Sequence, residues 1–174
     1  LEANLIKQGI QVHWASSTDE ANAIVLKIAQ TRNAKQVIKG KSMVSEEMAM
    51  NEHLSEHGIE ALESDMGEYI IQLDNEKPTH IIMPAIHKNA EQVGRLFEHR
   101  LALPYTNDVD SLIQSARGIL REKFFHADIG ISGVNFAVAE TGTLLLVENE
   151  GNGRMSTTVP PVHIAVTGIE KVVA

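Results

Sequence analysis

Residues 128–161, DIGISGVNFAVAETGTLLLVENEGNGRMSTTVPP, form the stretch on which the reading of the whole chain turns. Two apolar, strand-like runs lie in it, Phe136–Ala139 and Thr143–Val147, joined by Glu140-Thr141-Gly142. They are too close together for a crossover helix, so the spacing predicts an antiparallel hairpin. Glycines 130, 133, 142, 151 and 153 mark places where the backbone must turn or come close to another group. Beyond the second run come Glu148-Asn149-Glu150, then Gly151-Asn152-Gly153-Arg154 and the hydroxyls of Ser156–Thr158. A polar, glycine-rich loop after an apolar strand is where open α/β sheets place a ligand.

Upstream, helices alternate with strands. Leu1–Gln8 reads as the end of a helix stopped by Gly9, and Ile10–Trp14 alternates like a half-buried strand. Ser17-Thr18-Asp19-Glu20 is a capping box, followed by Ala21, Ile24, Val25, Ile28 and Ala29 on one helical face. Val37-Ile38 is a short strand, and a helix is expected from about Val44 to His57 with Gly58 as its C-cap. Ile59–Leu62 is a strand, Met66–Leu73 a short helix, and Thr79–Met83 an apolar strand ending at Pro84. Asn89 caps a helix with Gln92 at its third position and a stripe of Ala90, Val93, Phe97 and Leu101. After the polar linker Thr106–Asp110, Leu112, Ile113, Ala116, Ile119, Leu120 and Phe124 describe a long amphipathic helix. His163–Thr167 is the last strand expected. Alternation followed by clustered strands implies a three-layer α/β/α domain, its mostly parallel mixed sheet carrying the hairpin.

The bulk composition is that of one soluble domain: 174 residues, 43% hydrophobic and 22% charged. A net charge of −8 without a basic run argues against nucleic acid or an anionic membrane as partner. No apolar run approaches the roughly 20 residues of a membrane span. No signal-peptide pattern opens the chain, so a cytoplasmic location is the expectation. There are no cysteines, which rules out disulfides and cysteine-held metal clusters within these residues. A start without methionine and an abrupt end suggest a piece of something longer.

Several positions carry chemistry. Gly40-Lys41-Ser42 resembles the end of a phosphate loop, but the glycine required five positions earlier is Lys35. What survives is an anion site at a helix start with Lys41 and Ser42, or simply a cap beside a surface lysine. His53 and His57 have the spacing of two metal ligands without a third, and equally suit packing at a helix end; no metal is expected. His87, between an expected strand and a helix, is a possible acid or base or an ordinary loop histidine. Glu140 is either a carboxylate held at the lip of a buried strand, with a raised pKa, or a turn residue facing water. Gly133, Asn135, Thr141, Gly142, Thr143, Asn149, Gly151, Asn152, Gly153 and Arg154 would form the binding half of that site. Lys41 and Pro84–Asn89 are expected along the carboxyl ends of the strands, and the Gly151 loop joins them if Thr143–Val147 is the strand that runs parallel, in which case Lys41 and Arg154 together favour a small anion.

Four segments carry a family resemblance: KGKSMVSEE at 39–47, ESDMGEYIIQL at 63–73, HIIMPAIHKN at 80–89 and DIGISGVNFAVAETGTLLLVENEGNGRM at 128–155. Over nearly its whole length the chain resembles the LUD domain of the lactate-utilisation protein B family, iron–sulfur proteins of bacterial L-lactate oxidation. The resemblance implies a fold similar to the sugar-phosphate isomerase and CoA-transferase superfamily. It also implies a cytoplasmic subunit that oxidises L-lactate to pyruvate with two partner proteins. [4Fe–4S] clusters would sit in a cysteine-rich region outside these residues. It transfers no catalytic residue. A stand-alone acyl-CoA or sugar-phosphate enzyme using Glu140, or a non-catalytic assembly scaffold, remain as alternatives.

Overall fold

The computed structural model describes residues 1–80, 82–148 and 150–174. Four strands build the main sheet: β1 (Gln36–Lys39), β2 (Glu60–Glu63), β3 (Ile129–Ser132) and β6 (Val162–Ala165). Their order is β2-β1-β3-β6 and every pairing is parallel. Helices cover both faces, so the α/β class and three-layer arrangement expected from the alternation are present.

The pleat sorts the core into two halves. Val37, Ala61, Ile129 and Ile131 face α2 (Thr18–Thr31) and α4 (Met50–Glu56), meeting Val25, Ala29, Met50 and Leu54. Ile38 and Leu62, one residue on in their strands, face the other way. They pack with Tyr69 of α5 (Met66–Asp74), with Leu120 and Phe124 of α7 (Val109–His126), and with Met155 and Val159 at α8 (Asn152–Thr158). A satellite cluster of Ile70, Leu96, Phe97, Leu112 and Ala116 ties α6 (Ala90–Leu101) to α5 and α7. Each fully buried Ile or Leu here contributes about 1.5–3 kcal/mol. At the open edge of β2 the Gln72 amide stands in for a neighbouring strand. It donates to Ala61 O at 2.7 Å and accepts from Glu63 N at 3.0 Å.

Local signals set the helix starts. Ser17 Oγ accepts from Glu20 N, Asn89 and Gln92 close a complete capping box, and Asp108 caps α7 at Ser111 N. The short α1 (Glu2–Lys7) ends before Gly9 as expected.

Several expectations are corrected. Ile10–Trp14 forms no strand; Trp14 is exposed and the segment pairs with nothing among the described residues. The single helix from Val44 to His57 is two, α3 (Met43–Glu47) and α4, broken at Ala49 with φ +48°. The buried Asn22 of α2 donates to the freed Met48 carbonyl at 2.7 Å, which stabilises the break. Thr79–Met83, of which Ile81 lies outside the described residues, is turn-like rather than extended. There His80 Nδ1 accepts both Ile82 N and Met83 N at 3.1 Å, so a side chain takes the amides a strand ladder would need. The hairpin forms, from β4 (Phe136–Val138) and β5 (Thr143–Leu145), but it is not part of the main sheet. It joins β7 (Val172–Val173) in a separate three-stranded sheet, leaving the main sheet wholly parallel. The polar stretch after Gly151 is the helix α8, not a loop. Among the described residues no helix is long and apolar enough to cross a membrane.

Candidate functional site at the carboxyl edge of the sheet

The chain leaves β1 for β2 on one side and later returns to place β3 on the other, so the switch point lies between β1 and β3. That crevice is closed. Ser42, itself buried, sits so near Gly133 that a Cβ there would lie 2.8 Å from Ser42 Oγ. The open space is one strand further on. A cleft of about 930 Å³ runs between α4, the edge of β2, α5 and residues 75–80. Lys39, Lys41, Glu46, Asn51, Glu63 and Glu68 line its charged end.

Strand periodicity brings two of these charges together. Lys39 shares the α4 face with Val37, and Glu63 shares it with Ala61, while the parallel register sets Lys39 opposite Glu63. Their side chains are 2% and 8% exposed, with Lys39 Nζ 2.6 Å from Glu63 Oε1. Asn51 Nδ2 donates to the same oxygen at 2.7 Å. Even so, the Lys39 ammonium makes no well-angled hydrogen bond among the described residues, and Glu63 Oε2 and Asn51 Oδ1 have no partner. Buried polar atoms are rarely left so. Just outside, Lys41 Nζ donates to Glu68 Oε1 at 2.6 Å. Desolvation first, and the neighbouring Glu68 carboxylate second, push the Glu46 pKa up, while Lys39 and Lys41 oppose the shift. Asp65 Oδ1 caps α5 by accepting Gly67 N and Glu68 N. Desolvation and the Asp65 charge raise the Glu150 carboxyl, and a hydrogen bond from the Met66 amide works against them.

The residues expected from the sequence are distributed over three places. Lys41, Ser42, Gly133, Asn135 and the start of α8 do share the carboxyl edge, because α8 is the crossover from β3 to β6 and must run against the strands. The two cations that were to hold an anion are already engaged, however. Lys41 is paired with Glu68, and Glu148 accepts Arg154 N at 2.7 Å with its second oxygen 3.4 Å from Arg154 Nε. Ser42 Oγ is engaged as the α3 cap. Gly151, Asn152 and Gly153 are the cap and first residues of α8, with Glu148 tucked against Gly153. Asn135 closes the hairpin base, accepting Val147 N at 2.8 Å. Asn149 lies outside the described residues.

Glu140, Thr141, Gly142 and Thr143 are elsewhere, at the hairpin tip docked on α1. Asn4 Nδ2 donates to Ala139 O and Glu140 O at 2.9 and 2.8 Å, and Thr141 Oγ1 donates to Thr143 Oγ1 at 2.8 Å. Gly142 has φ +69° and a Cβ there would crowd the Asn4 carbonyl carbon. The Glu140 side chain is exposed, so the burial that was to activate it is missing. His87 is at the opposite end of α5 from Asp65. Its Nε2 is 2.7 Å from Glu76 Oε2 and its Nδ1 2.9 Å from Thr79 Oγ1, while Lys88 binds Asp74 and Glu76. Hydrogen bonds from Lys88 and then His87 pull the Glu76 pKa down. The network clasps the 76–88 segment to α5. The His57 Nδ1 is 2.8 Å from His53 O, and no group of three metal-binding side chains gathers among the described residues.

Reading the sequence missed Lys39, Glu46, Asn51, Glu63 and Glu68. One signal was available: two short apolar strands, QVIK and EALE, each end in a charge of opposite sign. It also missed Ser132 and His163, neighbours across β3 and β6, where Ser132 Oγ lies 2.8 Å from His163 Nε2. Desolvation lowers the His163 pKa.

An α/β domain whose main sheet is wholly parallel, with a charged cleft at its carboxyl edge, is thus the frame. Residues 1–174 match the LUD domain profile throughout, and the chain belongs to that family. Lactate utilization protein B of Bacillus subtilis (strain 168) is 46% identical over 174 residues, covering 99% of this chain and 36% of its own length. The protein of the same name from Bacillus licheniformis is 45% identical, with the same coverage. An Escherichia coli (strain K12) relative, "Uncharacterized electron transport protein YkgF", is 44% identical over 172 residues and again covered over 36% of its length. The chain therefore spans little more than a third of these curated relatives. No solved structure gives a significant match.

Proposed function

We propose that this chain is the LUD domain of an iron–sulfur subunit that, with two other lactate-utilisation subunits, oxidises L-lactate to pyruvate. The observation carrying the reading is the 46% identity, across 99% of this chain, to a protein named for lactate utilization. The relative named as an electron transport protein supports the redox part of it. With no cysteine among its 174 residues, this chain offers no thiolate for a cluster. Any cluster belongs to other parts of the assembly. The competing reading, a free-standing acyl-CoA or sugar-phosphate enzyme built on Glu140, loses its ground at an exposed turn.

Deleting the gene should abolish growth on L-lactate as sole carbon source and spare growth on pyruvate. Restored growth is expected from the intact gene but not from a copy lacking residues 1–174. Unimpaired growth of the deletion strain on L-lactate would remove the reading.

A further inference from the structure

The small sheet of β4, β5 and β7 has an apolar face that nothing among the described residues covers. Its register sets Phe136 beside Leu145, and Val138 beside both Thr143 and Val173, all on one face. Ala137 and Leu144 point the other way, and Ala137 is fully buried. On the first face Phe136, Leu145 and Val173 are 48%, 41% and 39% exposed. Val147, just past β5, is exposed as well. Thr143 is the single polar residue of that face. A strand with one wet face alternates apolar with polar residues, and FAV and TLL do not. Both faces of this sheet therefore have the composition of a buried one, and an exposed apolar face of this kind marks a contact.

Size and charge decide among the occupants. A stable complex with a separate protein uses about 20–30 residues a side, far more than the few side chains that three short strands present. A second copy brings the same small face, and each copy carries a net charge of −8. A segment of the same polypeptide meets neither difficulty. Its tether holds it at a millimolar effective concentration, so a small contact suffices. The relatives have the length for it: the match covers 36% of the Bacillus subtilis protein, and most of that polypeptide lies outside it. We propose that the face of Phe136, Leu145 and Val173 is an intramolecular docking surface, covered in the full-length protein by an apolar segment from outside residues 1–174. This takes only length from the relatives, so it stands or falls separately from the lactate reading.

Hydroxyl-radical footprinting of the purified full-length protein, read by mass spectrometry, would compare each side chain with the same peptide in urea. At 48% exposure Phe136 would be protected only about twofold. Covered, it should be protected about tenfold or more, as a buried side chain is, and Leu145 should follow it. Twofold protection of Phe136 overturns the proposal, whether the face is then left to solvent or to another protein. Light scattering on the same samples gives the oligomeric state. Protection that persists in a monomer is the expected result, and protection lost on dilution together with a dimer overturns it. Should the protein stay dimeric, cross-links from Lys171, two residues before Val173, decide in a mixture of isotope-labelled and unlabelled protein. Links within one chain to residues outside 1–174 support the proposal, and links between chains to residues 1–174 give the face to a second copy and overturn it.

Discussion

The β1–β2 end of the sheet and the glycine-rich stretch beyond β3 both follow strands, and both bring acids and bases together. They resolve these groups in opposite ways. Beyond β3 the polar groups at the surface are answered from within: Glu148 holds the α8 amide and faces Arg154, Asn135 ties the hairpin base, and Asn4 takes the carbonyls of the tip, while the buried Ser156 Oγ of α8 has no partner among the described residues. The glycines there admit close neighbours, Gly130 the backbone of α8 and Gly142 that of α1. At the β1–β2 end, Lys39 is buried against Glu63 beside a cleft, and Glu63 Oε2 and Asn51 Oδ1 are buried without a partner among the described residues. A polar, glycine-rich sequence therefore marks tight packing as readily as a site. What separates the two regions is buried charge, Lys39 with Glu63 at one and a single hydroxyl, Ser156, at the other, and this depends on neighbours distant in the chain.

The contrast is broken most strongly at Lys39. Lys39→Met leaves Glu63 as a buried, uncompensated charge and should cost about 3–5 kcal/mol in urea unfolding. The double variant Lys39→Met/Glu63→Leu should recover most of that loss, because an apolar pair carries no desolvation penalty. A double variant as unstable as the single one would mean that the pair is not what makes Lys39 important.

In the other region the sensitive position is a glycine. A Cβ at Gly130 would overlap the Ser156 carbonyl of α8, backbone against backbone, with Pro160 close behind. Gly130→Ala should cost about 3 kcal/mol, at the upper end of overpacking effects. A loss below about 1 kcal/mol would show that α8 can move away freely.

The smallest effects concern pH and have opposite signs in the two regions. The folded-state pKa of His163 lies below its ordinary 6.5, so its contribution is intact above that pH and is lost as pH falls toward the folded value. Glu46 is raised above 4.5, so its contribution is complete below that pH and lost as pH rises through the folded value. Solvent screening keeps each to some tenths of a kcal/mol. Unfolding midpoints between pH 7 and 5 should fall less steeply in His163→Gln than in the parent. Glu46→Gln should gain stability near pH 7 and none below pH 4.5. Equal pH profiles for His163→Gln and the parent would contradict the role given to desolvation of that ring.

Much of the architecture was legible because it rests on local chemistry. Ser17, Asn89 and Asp108 announce helix starts by bonding amides a turn away, and the stripe from Leu112 to Phe124 needs only its 3.6 period. Strands were harder. β3 carries just Ile129 and Ile131 around a glycine, yet it lies at the sheet's centre and is buried on both faces. Ile10–Trp14 has the better alternation and no partner strand among the described residues. Alternation records which side chains would face a core; whether a neighbouring strand is there is outside its reach.

By itself, then, the sequence determined the α/β class, the capped helices, the hairpin and the family resemblance, all written in short periods, caps and contiguous motifs. Tertiary structure alone decided that Lys39 meets Glu63, that Lys41 and Arg154 are already paired, and that Glu140 faces solvent. Those outcomes depend on parallel register and on which helix covers which face. Both follow from burying the whole core at once, and no window of neighbouring residues contains that information.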